Sequence, residues 1–129
     1  MRELIMARLS DAALSIAILT CFAAAPGAKA QDAGEAVFKR YCAVCHSVEA
    51  GKNKIGPSLA GIIGRKAGSV PGYSYTDANK NSGVTWDDNN LDTYLTDPKK
   101  FIPGTKMLFA GVKSDDDRKA LIAYLKQQK

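Results

Sequence analysis

The feature that most constrains this chain of 129 residues is the run Cys42-Ala43-Val44-Cys45-His46. Two cysteines separated by two residues, with a histidine directly after the second, form the pattern at which haem is attached covalently to protein. On a helical turn both thiols point to one side, where they can add across the two vinyl groups of a haem. The histidine that follows can then turn its imidazole toward the iron. The motif therefore predicts one haem c with its iron, attached covalently through Cys42 and Cys45 and ligated by His46.

Two other uses of a Cys-x-x-Cys pair compete with haem attachment. A thiol–disulfide redox couple is usually found near a thioredoxin-like βαβ pattern, and no such pattern is evident in this sequence. A zinc site needs four ligands, and a methionine is a poor fourth ligand beside two cysteines and one histidine. Both alternatives remain open at this point but are less consistent with the sequence.

The first thirty residues differ in composition from the rest. Two arginines precede an apolar run from Ala12 to Ala25, and Ala28-Lys29-Ala30 places small residues where a signal peptidase cleaves. We interpret residues 1–30 as a signal peptide cut after Ala30, which leaves residues 31–129 as one domain in the periplasm. The apolar run is shorter than the roughly 20 residues that cross a membrane, so we expect no stable membrane anchor. A lipoprotein site at Cys21 is a weaker alternative.

Cleavage would leave a short inventory of metal-binding side chains. Residues 31–129 retain Cys42 and Cys45, one histidine, His46, and one methionine, Met107. The net charge falls from +5 to +4, because three basic and two acidic residues are removed. A basic exported domain is expected to meet acidic proteins or anionic lipid rather than nucleic acid. We expect it to be a monomer.

The one methionine of residues 31–129 predicts the second axial ligand of the iron. Met107 follows a Pro-Gly pair in residues 101–107, which are interpreted as a loop. A thioether is a soft, neutral ligand that favours ferrous iron, so ligation by His46 and Met107 raises the reduction potential and leaves no position for a substrate. The sequence therefore favours an electron carrier over an enzyme. An open-haem peroxidase or gas-binding protein is the alternative.

The remaining patterns predict an all-α fold, a small single domain of helices and long loops wrapped around one haem. Apolar spacing at Ala36, Val37, Tyr41 and Val44 predicts a helix from Asp32 to about Val44. Glycine and proline then predict a long loop to Gly72. Two further helices are predicted. One spans residues 88–96 between Asp87 and Pro98, and the other follows the Ser114 cap with Ala120, Leu121, Tyr124 and Leu125 as its stripe.

The predicted domain also contains distinctive stretches in a fixed order: Gly56-Pro57-Ser58-Leu59, Gly61 to Lys66, Tyr73 to Lys80, Trp86, Tyr94-Leu95, Pro98 to Met107, Phe109-Ala110-Gly111 and Leu121 to Leu125. Together with the haem-attachment motif they resemble class I c-type cytochromes, specifically mitochondrial-type cytochrome c in its exported bacterial form. The resemblance covers nearly the whole of residues 31–129. It implies the cytochrome c fold and a carrier between a quinol-oxidising cytochrome bc complex and a terminal oxidase or photosynthetic reaction centre.

The resemblance also implies roles for residues around the haem. The carbonyl of Pro57 would bond the far nitrogen of His46. Trp86 and Tyr75 would donate to a haem propionate, with Arg65 neutralising its charge. The polar network on the methionine side would consist of Tyr94, Thr105 and Asn79, and the crossing of the terminal helices would join Gly34 and Phe38 to Tyr124 and Leu125. For the aromatic residues, simple core packing is the alternative.

The same resemblance places six lysines around the exposed haem edge: Lys39, Lys54, Lys99, Lys100, Lys106 and Lys113. Such a ring would steer the protein toward acidic docking surfaces of membrane redox complexes. Two departures from the mitochondrial form are evident. The loop between His46 and Pro57 is one residue shorter, and residues 115–117 are acidic where that form is richer in lysine.

Overall fold

The computed structural model describes residues 26–129, so residues 1–25 of the predicted signal peptide lie outside it. The described residues form five helices and no β-strand: α1 Pro26–Tyr41, α2 Asp77–Lys80, α3 Asp88–Thr96, α4 Pro98–Phe101 and α5 Asp115–Leu125. One isolated antiparallel bridge joins Lys66 to Thr85. The predicted all-α fold is confirmed for this part of the chain.

Helix α1 differs from the prediction in its start and in its buried face. It begins at Pro26 rather than Asp32, and therefore passes through Ala30, the predicted cleavage position. Of the predicted apolar stripe only Val37 is buried, whereas the other members, Ala36, Tyr41 and Val44, are exposed. The helix ends at Tyr41, and Val44 lies in the turn that follows. The stripe was wrong at Val44 because it extended helical spacing past the end of the helix. It was wrong at Ala36 and Tyr41 because the buried face of α1 passes through Gly34, Val37 and Phe38 instead.

The predicted starts of α3 and α5 are confirmed by their caps. The Asp87 side chain accepts a hydrogen bond from the Asn90 amide at 2.8 Å, and the Ser114 hydroxyl accepts one from the Asp117 amide at 3.2 Å. Each cap satisfies an amide that has no partner within its helix. The helices α2 and α4 were not predicted, because four residues are too few to show helical periodicity.

Helices α1 and α5 cross in the core, as the resemblance implied. The rings of Phe38 and Tyr124 lie 5.7 Å apart between centroids. A Cβ atom on Gly34 would come within 2.2 Å of the Ala120 carbonyl oxygen, so only glycine allows the two helices to approach this closely. Leu121, on the same face of α5, is fully buried.

The segment between α1 and α2 contains no helix and is ordered by hydrogen bonds to distant parts of the chain. The Gly61 amide donates to the Gln128 carbonyl at 2.7 Å, and the Ala67 amide donates to the Val84 carbonyl at 2.9 Å. The predicted long loop is therefore confirmed, and it is hydrogen-bonded to the C-terminal end at Gln128 and to the segment before α3 at Val84. Among the helices described, none is both long enough and apolar enough to span a bilayer.

Candidate haem site

The cysteine motif forms a single tight turn directly after α1. The Cys42 carbonyl accepts hydrogen bonds from the Cys45 amide at 3.0 Å and from the His46 amide at 2.8 Å. Cys42 is buried, Cys45 is half-buried, and both thiols are free. Burial, together with the neighbouring Cys45, raises the pKa of Cys42 to about 11. Redox-active Cys-x-x-Cys pairs depend on a lowered thiol pKa, so this environment does not favour a thiol–disulfide oxidoreductase.

The His46 ring is held in one orientation by the loop that contains Pro57. Its Nδ1 atom lies 2.7 Å from the Pro57 carbonyl oxygen, the contact that the resemblance implied. A carbonyl can only accept, so Nδ1 carries the proton and Nε2 keeps a free lone pair for a metal. Burial lowers the pKa of His46, and the nearby positive charges of Lys54 and Arg65 lower it further. The imidazole is therefore kept neutral, as a metal ligand must be.

Glycine at position 56 makes room for this imidazole. The Gly56 amide donates to the Cys45 carbonyl at 2.7 Å, which folds the backbone back over the motif. A Cβ atom at this position would lie 2.3 Å from Cε1 of His46, which no real contact permits. The backbone therefore packs directly on the ring, and this close approach explains why a glycine precedes Pro57.

The methionine side carries a polar contact to the sulfur. The Tyr94 hydroxyl donates to Sδ of Met107 at 3.1 Å, and the Met107 amide lies 3.3 Å from Oγ1 of Thr105. Met107 is half-buried and packs against the core. Burial raises the pKa of Tyr94, and hydrogen bonding to Thr105 and Asn79 opposes the rise. Tyr94 therefore stays a neutral hydrogen-bond donor at physiological pH.

Asn79 is brought to this side by the short helix α2. The Thr76 side chain caps the helix and donates to Oδ1 of Asn79 at 2.9 Å. Asn79 is buried, and its side chain reaches Tyr94. The structure thus brings together Tyr94, Thr105 and Asn79, the network that the resemblance implied beside Met107.

Arg65 lies half-buried, and its guanidinium contacts backbone carbonyls. Its guanidinium donates to the carbonyls of Ala60 and Ser58 at 2.8 and 2.9 Å. Within residues 26–129 no acidic side chain forms an ion pair with it. Burial lowers the pKa of Arg65. A partly buried cation whose contacts are carbonyl oxygens is a suitable neighbour for an anionic group such as a propionate.

Trp86 contacts the backbone of Arg65, and Tyr75 lies near its guanidinium. The Trp86 amide donates to the Arg65 carbonyl at 2.9 Å, and the Tyr75 hydroxyl accepts a hydrogen bond from the Val70 amide at 3.3 Å. Burial raises the pKa of Tyr75, so its hydroxyl keeps the proton it could donate. Trp86 is buried and its ring packs 4.9 Å from that of Tyr94. Trp86 therefore also packs in the core, as the alternative interpretation of the aromatic residues predicted.

The donor set fits haem c. Two free thiols adjoin a neutral imidazole with an available Nε2, and the polar network orients the one thioether of residues 31–129. Arg65 adds a positive charge that pairs with no acidic side chain among the described residues. The zinc alternative gains no support. In the part of the chain that the structure describes, no three histidine, cysteine or acidic side chains gather in a way that could hold a metal ion.

Comparisons with known proteins agree with this geometry. The family model described as cytochrome c matches residues 31–129. The chain belongs to the cytochrome c family. It is 62% identical to a cytochrome c of Gibberella zeae over 94 residues, which cover 72% of this chain and 89% of that protein. It is 59% identical to cytochrome c2 iso-2 of Magnetospirillum molischianum over 88 residues, which cover 68% and 91% of the two chains.

A third relative extends the comparison. Cytochrome c2 of Blastochloris viridis is 56% identical over 103 residues, 78% of this chain and 80% of the relative. Membership of the cytochrome c family means that the chain binds one covalent haem c with its iron. It also means that the chain is an electron carrier and not an enzyme.

Three exposed apolar side chains lie beside site residues, and no surface role was predicted for any of them. Val44, Ile55 and Leu108 are exposed to 74%, 73% and 88%. Val44 lies inside the cysteine motif, Leu108 follows Met107, and Ile55 precedes Gly56. Their position beside site residues was readable from the sequence, but their exposure depends on the fold.

Proposed function

We propose that this cytochrome c is an exported periplasmic carrier, with Cys42 and Cys45 holding the haem by thioether bonds and His46 and Met107 as its axial ligands. It would carry single electrons from a quinol-oxidising cytochrome bc complex to a terminal oxidase or a photosynthetic reaction centre. The haem supplies the one-electron couple when bound. The observation that carries the proposal is the 3.1 Å contact between the Tyr94 hydroxyl and Sδ of Met107.

This contact supports an iron ligated on both sides, because it orients the sulfur of Met107. Without it, Met107 would be a flexible core side chain. A methionine held by a hydrogen-bond donor has little freedom to leave. A haem closed by His46 and Met107 offers no coordination position to peroxide or to a gas. The proposed function therefore differs from the open-haem alternative in one respect, which is whether Met107 binds the iron.

Six exposed lysines support the proposed docking to acidic surfaces of membrane redox complexes: Lys39, Lys54, Lys99, Lys100, Lys106 and Lys113. Three of these ammonium groups hydrogen-bond to backbone carbonyls, as with Lys113 and the Thr96 carbonyl at 3.0 Å, so the chain holds them in place. The exposed apolar residues Val44, Ile55 and Leu108 would add contact area between these charges. Such surfaces give fast encounters that weaken with salt.

The cysteine assignment is tested by the absorption spectrum of protein exported from a host with haem-attachment machinery. After acid-acetone extraction, the wild-type protein is expected to keep its reduced c-type spectrum, and a variant with both Cys42→Ala and Cys45→Ala is expected to lose it. Retention by the double variant would contradict the assignment. The mass of the exported protein tests the cleavage site, because cleavage after Ala30 leaves Gln31 as the first residue.

The docking surface is tested by the rate of electron transfer to a membrane redox complex as a function of ionic strength. Replacing Lys99 and Lys100 together by glutamine is expected to slow the second-order rate about two- to tenfold at low salt. The matched control replaces Lys119 and Lys129, which are exposed but lie outside the proposed ring. Equal effects of both pairs would show that only net charge matters and would reject the ring.

A further inference from the structure

Tyr73 contacts the segment that orients His46 and the segment that carries Met107. It lies half-buried in the strap, by which we mean residues 70–75. The strap is closed on itself, since the Tyr73 amide donates to the Val70 carbonyl at 3.4 Å and the Val70 amide donates to the Tyr75 hydroxyl at 3.3 Å. The Tyr73 and Tyr75 rings meet edge to face with centroids 4.7 Å apart. These contacts limit how far the Tyr73 ring can move.

The hydroxyl of Tyr73 reaches the histidine side. It donates to the Ile55 carbonyl at 2.9 Å. Ile55 directly precedes Gly56, which packs on the His46 ring, and Pro57, whose carbonyl accepts a hydrogen bond from Nδ1 of that ring. A second contact joins the same two segments, because the Asn53 side chain donates to the Pro71 carbonyl at 3.2 Å. The strap is thus fastened to the chain that orients the imidazole.

The ring of Tyr73 reaches the methionine side. The ammonium of Lys106 lies 4.6 Å from the ring centroid and also donates to the Ser74 carbonyl. An ammonium this close to an aromatic face is attracted by the ring quadrupole. Lys106 directly precedes Met107. Movement of the Met107 backbone away from the site would therefore disturb the contacts of Lys106 with the strap.

We propose that Tyr73 is a positioning residue that couples the two ligand segments, so that its hydroxyl bond to Ile55 helps to retain Met107. The proposal rests on the proposed ligation by His46 and Met107. The hydrogen bond of Tyr73 goes to Ile55 and its cation contact to Lys106, so its effect on the two ligands passes through these residues. The hydroxyl anchors the ring, and the anchored ring holds the ammonium beside the methionine.

The test is the displacement of Met107 by added imidazole in the ferric holoprotein, followed by absorbance. The limiting rate at high imidazole reports how often the methionine segment opens. We expect Tyr73→Phe, which removes only the hydroxyl, to raise this rate about two- to fivefold. We expect Lys106→Gln, which removes the charge but keeps a donor for Ser74, to raise it by about the same factor.

The double variant separates coupling from independent effects. If the ring acts through Lys106, Tyr73→Phe adds no more than about 1.5-fold when Lys106 is already glutamine. An unchanged rate in Tyr73→Phe alone, or effects that multiply fully in the double variant, would overturn the proposal. The first result would show that the hydroxyl serves only the histidine side, and the second that the two contacts are independent.

Tyr41→Phe is the matched control. Tyr41 is also partly exposed and has a cation, the Arg40 guanidinium, 5.6 Å from its ring centroid. Its variant is expected to leave the imidazole rate unchanged, and an acceleration equal to that of Tyr73→Phe would reject the coupling. Failure of the proposed function is distinguishable, because the wild-type ferric protein would then lack the near-infrared iron–sulfur band before any variant is made.

Discussion

The Nδ1 atom of His46 lies 2.7 Å from the carbonyl oxygen of Pro57, and the preceding residue, Gly56, packs its backbone against the same ring. One contact selects the tautomer, and the other limits the rotation of the imidazole. The lone pair of Nε2 therefore points in a direction set by the backbone rather than by a flexible side chain.

Gly56→Ala is expected to disturb this arrangement, because the new Cβ atom would lie 2.3 Å from Cε1 of His46. Overpacking of this kind costs about 1–3 kcal/mol, so solvent exchange of the His46 Nδ1 proton should accelerate about five- to 150-fold. NMR of the holoprotein measures the exchange. The control is Gly51→Ala in the same loop, where a Cβ atom meets nothing within 4 Å. Equal acceleration in both variants would show that general loop strain is responsible.

Tyr94→Phe is expected to lower the reduction potential. The hydroxyl withdraws electron density from Sδ of Met107 at 3.1 Å and so favours ferrous iron. Removing a hydrogen bond worth about 0.5–1.5 kcal/mol corresponds to a decrease of about 20–60 mV for one electron. Redox titration measures the change, with Tyr41→Phe as the control. An unchanged or higher potential would show that the contact does not act on the iron.

Arg118 is a buried residue for which the sequence analysis predicted no role. Its side chain joins α5 to Asp92 of α3 at 2.8 Å, to Asp115 at 2.5 Å and to the Val112 carbonyl at 2.9 Å. Arg118→Met should lower the free energy of unfolding by about 1–3 kcal/mol, mainly because the buried Val112 carbonyl loses its donor, with a smaller loss from the ion pairs to the partly exposed Asp92 and Asp115. Denaturant unfolding checks this, and Lys119→Met on the exposed side of α5 should cost no more than about 0.5 kcal/mol. Similar losses in both variants would show that the contacts of Arg118 do not stabilise the fold.

Tyr124 is expected to make stability depend on pH in the alkaline range. Burial and the nearby Glu35 carboxylate raise the pKa of Tyr124. Above about pH 10 the hydroxyl ionises in the unfolded chain before it ionises in the folded one, so the free energy of unfolding falls until the pH passes the folded pKa. Relative to Tyr124→Phe, the wild type should lose up to about 1.4 kcal/mol per pH unit in this window. Urea unfolding at several pH values measures the difference, and a constant difference would refute the assignment.

Elements whose limits are marked by local chemistry were predicted accurately. Helix α3 spans Asp88–Thr96 because Asp87 caps its start and Pro98 follows its end, and both signals are visible in the sequence. The predicted start of α1 at Asp32 was wrong because residues 26–30, which begin the helix, were interpreted as part of the signal peptide. Its buried face was assigned poorly because Gly34, which makes the closest approach to α5, has no side chain to register in a hydrophobic pattern.

The candidate site shows the same division. The motif at Cys42, Cys45 and His46 is local and readable, and the contacts of Pro57 and Tyr94 followed only from the resemblance. The link from Tyr73 to Ile55 and Lys106 joins residues far apart in sequence, so no spacing rule could predict it. Arg118 gave no signal because a buried arginine looks like any surface charge until its partners are known.

The most direct test of a haem closed by His46 and Met107 is the spectrum of the Met107→Ala variant. The wild-type ferric protein should show the weak near-infrared iron–sulfur band, and its ferrous form should not bind carbon monoxide at neutral pH. Met107→Ala should lose the band, bind carbon monoxide and have a lower potential, whereas Leu108→Ala, at the exposed neighbouring residue, should resemble the wild type. A Met107→Ala protein with unchanged spectrum and potential would contradict the account.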